Sequence, residues 1–217
     1  MARGALRPSE REHSSPPGRI AMNFARPRAR GVFLARRGGL LVTPARGWLE
    51  HPDEVAIRPR LLPLLRHFSR GSNHLFLIGN EEEVAFGKVS AERFQQIQDR
   101  IAIELEYHGV EVRRSFACTT HPQAPGSDGK DSVFRLPNVG VFKAAQQEHD
   151  LDLASSWLIG ERTCELLAAD RAGVRTALVK TGIGGKDREF DVQAEIVADD
   201  AETALRILQL EEQHALR

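Results

Sequence analysis

Cysteine is nearly missing from this 217-residue chain, which holds only Cys118 and Cys164. Two thiols cannot build a disulfide framework, and such sparse use points to a reducing compartment. Net charge is missing too, because 30 Lys and Arg offset 30 Asp and Glu. The molecule as a whole therefore has no electrostatic bias toward nucleic acid or a membrane surface. No apolar run reaches the roughly 18 residues of a membrane helix. No apolar stretch follows the basic N-terminus, so no secretory signal is predicted and the expected location is cytoplasmic. What remains is ordinary for a globular chain with one sizeable core: 41% hydrophobic and 28% charged residues.

The charge is unevenly spread. Residues 1–30 carry Arg3, Arg7, Arg11, Arg19, Arg26, Arg28 and Arg30 against Glu10 and Glu12, among Pro, Ser and Gly. This composition reads as a disordered arm, with nucleic-acid binding the one partner role it suggests. Translation from Met1 and from Met22 are both open. From Gly31 onward, short apolar runs alternate with helical stripes. Strands are predicted at 31–35, 74–78, 110–118, 157–160, 176–179 and 194–198. Helices are predicted over 61–68, from Ser90 to Gly109, over 139–149 and 162–171, and after Asp200. Ser90 is an N-cap ahead of Phe94, Ile97, Ile101 and Leu105 on one face. Such alternation implies a mostly parallel sheet covered on both faces, a Rossmann-like three-layer α/β sandwich. Its ligand crevice lies at the carboxyl ends of the strands, around Ala35–Arg37, Gly79-Asn80, Cys118–His121 and Gly160-Glu161.

Those strand ends, in that order, resemble the haloacid dehalogenase (HAD) superfamily over roughly residues 31–210. Within it they look most like the branch of D-glycero-D-manno-heptose 1,7-bisphosphate and histidinol-phosphate phosphatases. Gly31-Val-Phe-Leu-Ala-Arg-Arg-Gly-Gly-Leu40 stands where the family has a strand followed by D-x-D-G-T-L. Leu77-Ile-Gly-Asn-Glu-Glu-Glu-Val-Ala-Phe-Gly87 is similar to T-N-Q-S-G-I-A-R-G, and Cys118-Thr-Thr-His-Pro122 to C-P-H-H-P. Arg135-Leu-Pro-Asn-Val-Gly140 resembles R-K-P-K-P-G, and Gly160-Glu-Arg-Thr-Cys-Glu165 resembles G-D-R-x-x-D. The resemblance implies a HAD-like domain over 31–217 without a large cap domain. It also implies phosphoryl transfer through an aspartyl-phosphate, a neighbouring aspartate as acid/base, a lysine, and Mg²⁺.

The replacements contradict that chemistry. The nucleophile position is Ala35, whose methyl group cannot attack phosphorus. The acid/base position is Arg37, protonated at any working pH. The lysine position is Leu136, and Glu161 and Glu165 stand at the acidic metal positions. The branch's zinc ligands fall on Cys118, Thr120, Ser132 and Phe134, so Cys118 alone survives beside a displaced His121, and no zinc is expected. Arg37 either replaces the lost cation and pairs with Glu161, or the changes are drift; both readings stay open.

The sequence thus predicts a pseudophosphatase without a cofactor. Arg37, Asn80, Arg135 and Arg162 are its candidate phosphate or sugar-phosphate contacts, and a protein partner is the other use for the scaffold. The competing expectation is a residual sugar-phosphate phosphatase whose Mg²⁺ is held by Glu161 and Glu165.

Overall fold

A computed structural model describes residues 28–215. The strand β1 (Arg30–Ala35) is followed by α1 (Leu61–Phe68), β2 (Asn73–Asn80), α2 (Glu82–Ala85), α3 (Ala91–Tyr107) and β3 (Val112–Cys118). Then come α4 (Gly140–His149), β4 (Trp157–Gly160), α5 (Thr163–Ala172), β5 (Arg175–Val179), β6 (Ile196–Ala198) and α6 (Ala201–Ala215). The strands form one six-stranded sheet in the order β3-β2-β1-β4-β5-β6, and every pairing is parallel.

Period-two alternation along β1 builds the two faces. Val32 and Leu34 join the cluster under α1, α3 and α6 with Leu65, Ile101 and Leu205. Phe33 points the other way, stacks on Phe76 with centroids 4.9 Å apart and meets Phe142 of α4 edge-on. Each fully buried aliphatic or aromatic side chain in these layers contributes about 1.5–3 kcal/mol. The helix ends are set locally. Ser90 accepts a hydrogen bond from the Arg93 amide, Asp200 from the Thr203 amide, and Gly173 closes α5 at φ 75°.

The three-layer parallel architecture is the one predicted. Differences are confined to element edges and one short helix. β3 begins at Val112 instead of Val110, because the Val110 amide is spent on the Leu105 carbonyl at the end of α3. The last strand starts at Ile196 instead of Ala194. The one-turn helix α2 was not read from its three glutamates. Residues 1–27 of the expected arm lie outside the described residues. Ala29 and Arg30, assigned to that arm, belong to the fold: Ala29 bridges Leu151, and Arg30 opens β1 against Asn73. Among the described residues no helix is long and apolar enough to cross a membrane.

Candidate functional site

The carboxyl ends of β1, β2, β4 and β5 surround a cavity of about 570 Å³, whose walls include Arg37, Trp48, Glu83, Lys88, Glu161 and Arg162. Ala35 ends β1, fully buried, and Arg36 and Arg37 follow it directly. β2 runs beside β1 in parallel. The loop after β2 therefore brings Glu81 and Glu83 to the same edge.

Arg36 and Glu81 are both almost fully buried, with the Arg36 Nε 2.9 Å from the Glu81 Oε1. The Arg36 guanidinium also lies 5.3 Å from the Phe94 ring centre. Arg37 Nη1 lies 3.3 Å from the Glu83 Oε2 and donates to the Gly47 carbonyl at 3.2 Å. Its Nη2 donates to the Asn80 carbonyl and lies 3.9 Å from the Glu81 Oε2. Burial opposes the charge on Arg37, but Glu81 and Glu83, followed by Glu165 and Glu161, hold its pKa above the ordinary value. Burial likewise opposes ionisation of Glu81, and Arg36 and Arg37 outweigh it, so Glu81 is the more acidic member of the pair. Burial and then Glu81 push Glu83 up to about 7.

The pairing expected between Arg37 and Glu161 is not formed. Arg37 turns to Glu81 and Glu83, which adjoin it across the β1–β2 boundary. Glu161, at the end of β4, accepts instead from the Ile183 amide at 2.7 Å. A Cβ at Gly38 or Gly182 would fall on the Glu161 Oε2, and both glycines have positive φ, 64° and 63°. The carboxylate is thus wedged between two close backbone segments, and burial pushes its pKa up. Glu165 accepts from the Glu161 and Arg162 amides, at 2.8 and 3.1 Å, and caps α5. Burial pushes it up to about 7.

Of the remaining predicted contacts, Asn80 and Arg135 are similarly engaged and Arg162 is not. Asn80 Nδ2 donates to the Leu136 carbonyl at 2.9 Å, and the Leu136 amide donates back to Asn80 Oδ1 at 3.0 Å. The side chain of Leu136, expected at the family's lysine position, is buried with Phe116, Val141 and Phe142 in the core. Arg135 pairs with Glu82 at 3.1 Å. Arg162 lines the cavity, and its Nε is buried without a hydrogen-bond partner. Cys118 is buried with its sulfur 3.6 Å from the Thr120 Oγ1. His121 stands 3.8 Å from Glu82 and 5.1 Å from the Phe86 ring.

Sequence reading missed Arg36, Glu81, Glu83, Trp48 and Lys88. A usable signal was present: consecutive arginines follow one strand and consecutive glutamates follow the next, and parallel neighbours bring such ends together. Lys88 lies 4.6 Å over the Trp48 ring, giving the cavity a mixed aromatic and cationic wall.

A divalent cation does not suit this donor set. The Arg37 guanidinium lines the same cavity as Glu161, the Glu161 Oε2 is held by a backbone amide, and the Glu165 Oε2 by two. Among the described residues no group of three or more His, Cys, Asp or Glu is arranged to hold a metal.

Fold and crevice together define an α/β protein of the HAD-like class, and residues 133–204 match the HAD-hydrolase-like family model. The chain is 30% identical over 155 residues to a D-glycero-beta-D-manno-heptose-1,7-bisphosphate 7-phosphatase of Haemophilus ducreyi, covering 70% of this chain and 84% of the relative. It is 31% identical over 153 residues to the alpha-specific counterpart of Photorhabdus laumondii, covering 70% and 82%. A crystal structure of the D,D-heptose 1,7-bisphosphate phosphatase of B. bronchiseptica, complexed with magnesium and phosphate, superposes with a TM-score of 0.72. It is 23% identical and covers 84% of this chain and 99% of that one. The chain belongs to the HAD superfamily, in the branch of the heptose bisphosphate phosphatases.

Proposed function

We propose that this chain is a pseudophosphatase, a heptose-bisphosphatase scaffold without phosphoryl-transfer chemistry whose crevice binds a phosphorylated sugar without metal. One observation carries the reading. Arg37, at the acid/base position, is locked by Glu83, Glu81 and the Asn80 carbonyl beside a buried methyl group at the nucleophile position. The methyl group of Ala35 cannot attack phosphorus, and a guanidinium in that network cannot shuttle protons. Of the four cationic or amide contacts predicted, Arg162 best fits a ligand role, because the residue lines the cavity and its buried Nε lacks a partner. Lys88 and the Trp48 face stand on the same wall, a pairing suited to a sugar phosphate.

Two measurements test this. Turnover of sugar bisphosphates with Mg²⁺ should be indistinguishable from the uncatalysed rate, and an Arg162→Gln variant should lose any thermal stabilisation given by a sugar phosphate without metal. Wild-type turnover that falls on Glu161→Gln would overturn the inactive reading and restore the residual phosphatase. Absence of stabilisation by phosphorylated sugars would instead leave the scaffold with a protein partner.

A further inference from the structure

A second cavity, larger than the crevice, lies at the opposite pole, where the strands begin. It measures about 1140 Å³ and is framed by Arg28, Arg30, Arg66, His67, Arg70 and Glu212, among others. Its charges do not cancel. Glu212 is consumed by Arg30 at 2.8 Å, His67 at 2.9 Å and Asn73 Nδ2 at 3.0 Å. The other lining carboxylate, Asp152, accepts from the Ala154 amide and the Ser155 hydroxyl. Arg66 and Arg70 bond to backbone carbonyls, those of His108 and Gly109, at 3.0 and 3.2 Å. Among the described residues neither guanidinium meets a carboxylate, and both residues are exposed. Arg28 has only Asp150, with both side chains mostly in solvent.

The carbonyls that hold Arg66 and Arg70 follow the last residue of α3, Tyr107, which is the most exposed large hydrophobic residue of the described residues, 84% accessible. Its ring meets His108 edge-on, with centroids 5.1 Å apart. An unpaired arginine couple beside an exposed aromatic ring is the composition that tracks a phosphodiester backbone while stacking a base. The chain leading into this pole adds Arg3, Arg7, Arg11, Arg19 and Arg26 against Glu10 and Glu12, with no lysine. A membrane surface fits less well, because none of the exposed large hydrophobic side chains, Tyr107 included, lines the cavity, and one aromatic ring beyond it makes no apolar face to insert.

We infer that the N-terminal pole of the sheet is a binding site for single-stranded nucleic acid, with Arg66 and Arg70 on the phosphates and Tyr107 stacked on a base. The site is independent of the crevice. The test is fluorescence anisotropy of the full chain with labelled mixed-sequence single-stranded RNA and DNA of about 15 nucleotides, titrated between about 50 and 200 mM salt. Binding should weaken at least about tenfold over that range. Arg66→Gln/Arg70→Gln should weaken it by about tenfold and lower the salt slope by about 1.4. Tyr107→Ala, at a position too exposed to unsettle the fold, should weaken it at least about fivefold. A thermal melt of the arginine variant must match wild type for its result to stand, and Tyr107→Ala carries the test if it does not. Three outcomes would overturn the site: no binding at low salt; unchanged binding in both variants while changing the five N-terminal arginines to Gln abolishes it; or equal binding to vesicles containing phosphatidylserine that Tyr107→Ala leaves intact.

Discussion

The two sides of the crevice have diverged to different degrees. On the β4–β5 side, within the stretch that matches the HAD-hydrolase-like model, Glu161 and Glu165 are acidic where the resemblance implies acids. On the β1–β2 side Ala35 and Arg37 stand where it implies an acid pair, and Glu81, Glu82 and Glu83 follow the neighbouring strand. The structure gives a physical reason. Glu165 caps α5 and Glu161 holds the loop after β5, so each carboxylate supports backbone and cannot be lost without a folding cost. The first-strand aspartates implied by the family do chemistry, and an alanine at the end of β1 packs in the core without strain. Once those acids go, an arginine has to find new partners, and the neighbouring strand end supplies them.

The largest effect should come from the rebuilt side. Arg36→Met leaves Glu81 buried without its nearest cation and should cost about 3–5 kcal/mol, measured by urea denaturation. A loss below about 1 kcal/mol would mean that Glu81 takes up a proton at little cost, and that the network is not what holds these loops together. Glu165→Ala probes the retained side. It strips the Glu161 and Arg162 amides of their acceptor at the start of α5 and should cost about 2–3 kcal/mol, a fall in Tm of roughly 5–10 °C. If Glu165→Ala were neutral, the comparison would break, because capping would no longer explain why that acid remains.

Legibility in the sequence follows the same division. The strands, the Ser90 cap and the apolar stripe of α3 were readable because local periodicity and capping chemistry determine them. The mismatch of Ala35 and Arg37 with the chemistry that the family resemblance implies needed no structure, because a residue type can be compared with a motif wherever it points. The partners of Arg37 were not. Glu161 and Glu83 both lie at strand ends around the crevice, and only the sheet order, with β2 on one flank of β1 and β4 on the other, puts Glu83 in reach. Leu136 was read as a lost lysine, whereas its backbone, clasped by Asn80, shows a structural role that residue identity does not reveal.

A smaller effect concerns pH and tests whether the rebuilt network is electrostatically settled. Glu83 has a folded pKa of about 7, above the 4.5 of a free glutamate, so the native state keeps a proton that the unfolded chain releases. Its contribution to stability is full below about pH 4.5 and is lost as pH rises through about 7. Glu165 carries the same sign over the same window. Glu81, held low by Arg36 and Arg37, titrates below it and does not offset either. Stability should therefore fall between about pH 5 and about pH 8, and Glu83→Gln should remove part of that slope while leaving the shares of Glu165 and of Glu161, which burial also raises. An unchanged slope in Glu83→Gln would place the raised carboxyl on the β4–β5 side alone. Arg37 would then already neutralise Glu83 in full, and the rebuilt side would be the better compensated of the two.

The smallest effect separates the centre of the network from its rim. Arg135 and Glu82 pair at 3.1 Å, but the Glu82 side chain is about one-third exposed, against 4% for Glu81. Water screens the outer pair, so Arg135→Gln should cost less than about 1 kcal/mol. The Arg135 Nε is nonetheless buried without a partner, and removing an unsatisfied donor offsets part of even that small loss. A cost comparable to that of Arg36→Met would show that the rim is coupled to the centre through the one-turn helix that carries both Glu82 and Glu83. The rebuilt side would then act as one cooperative unit instead of a buried pair with an exposed fringe, and its difference from the retained side, where each carboxylate holds its own backbone amides, would be one of organisation as well as of charge.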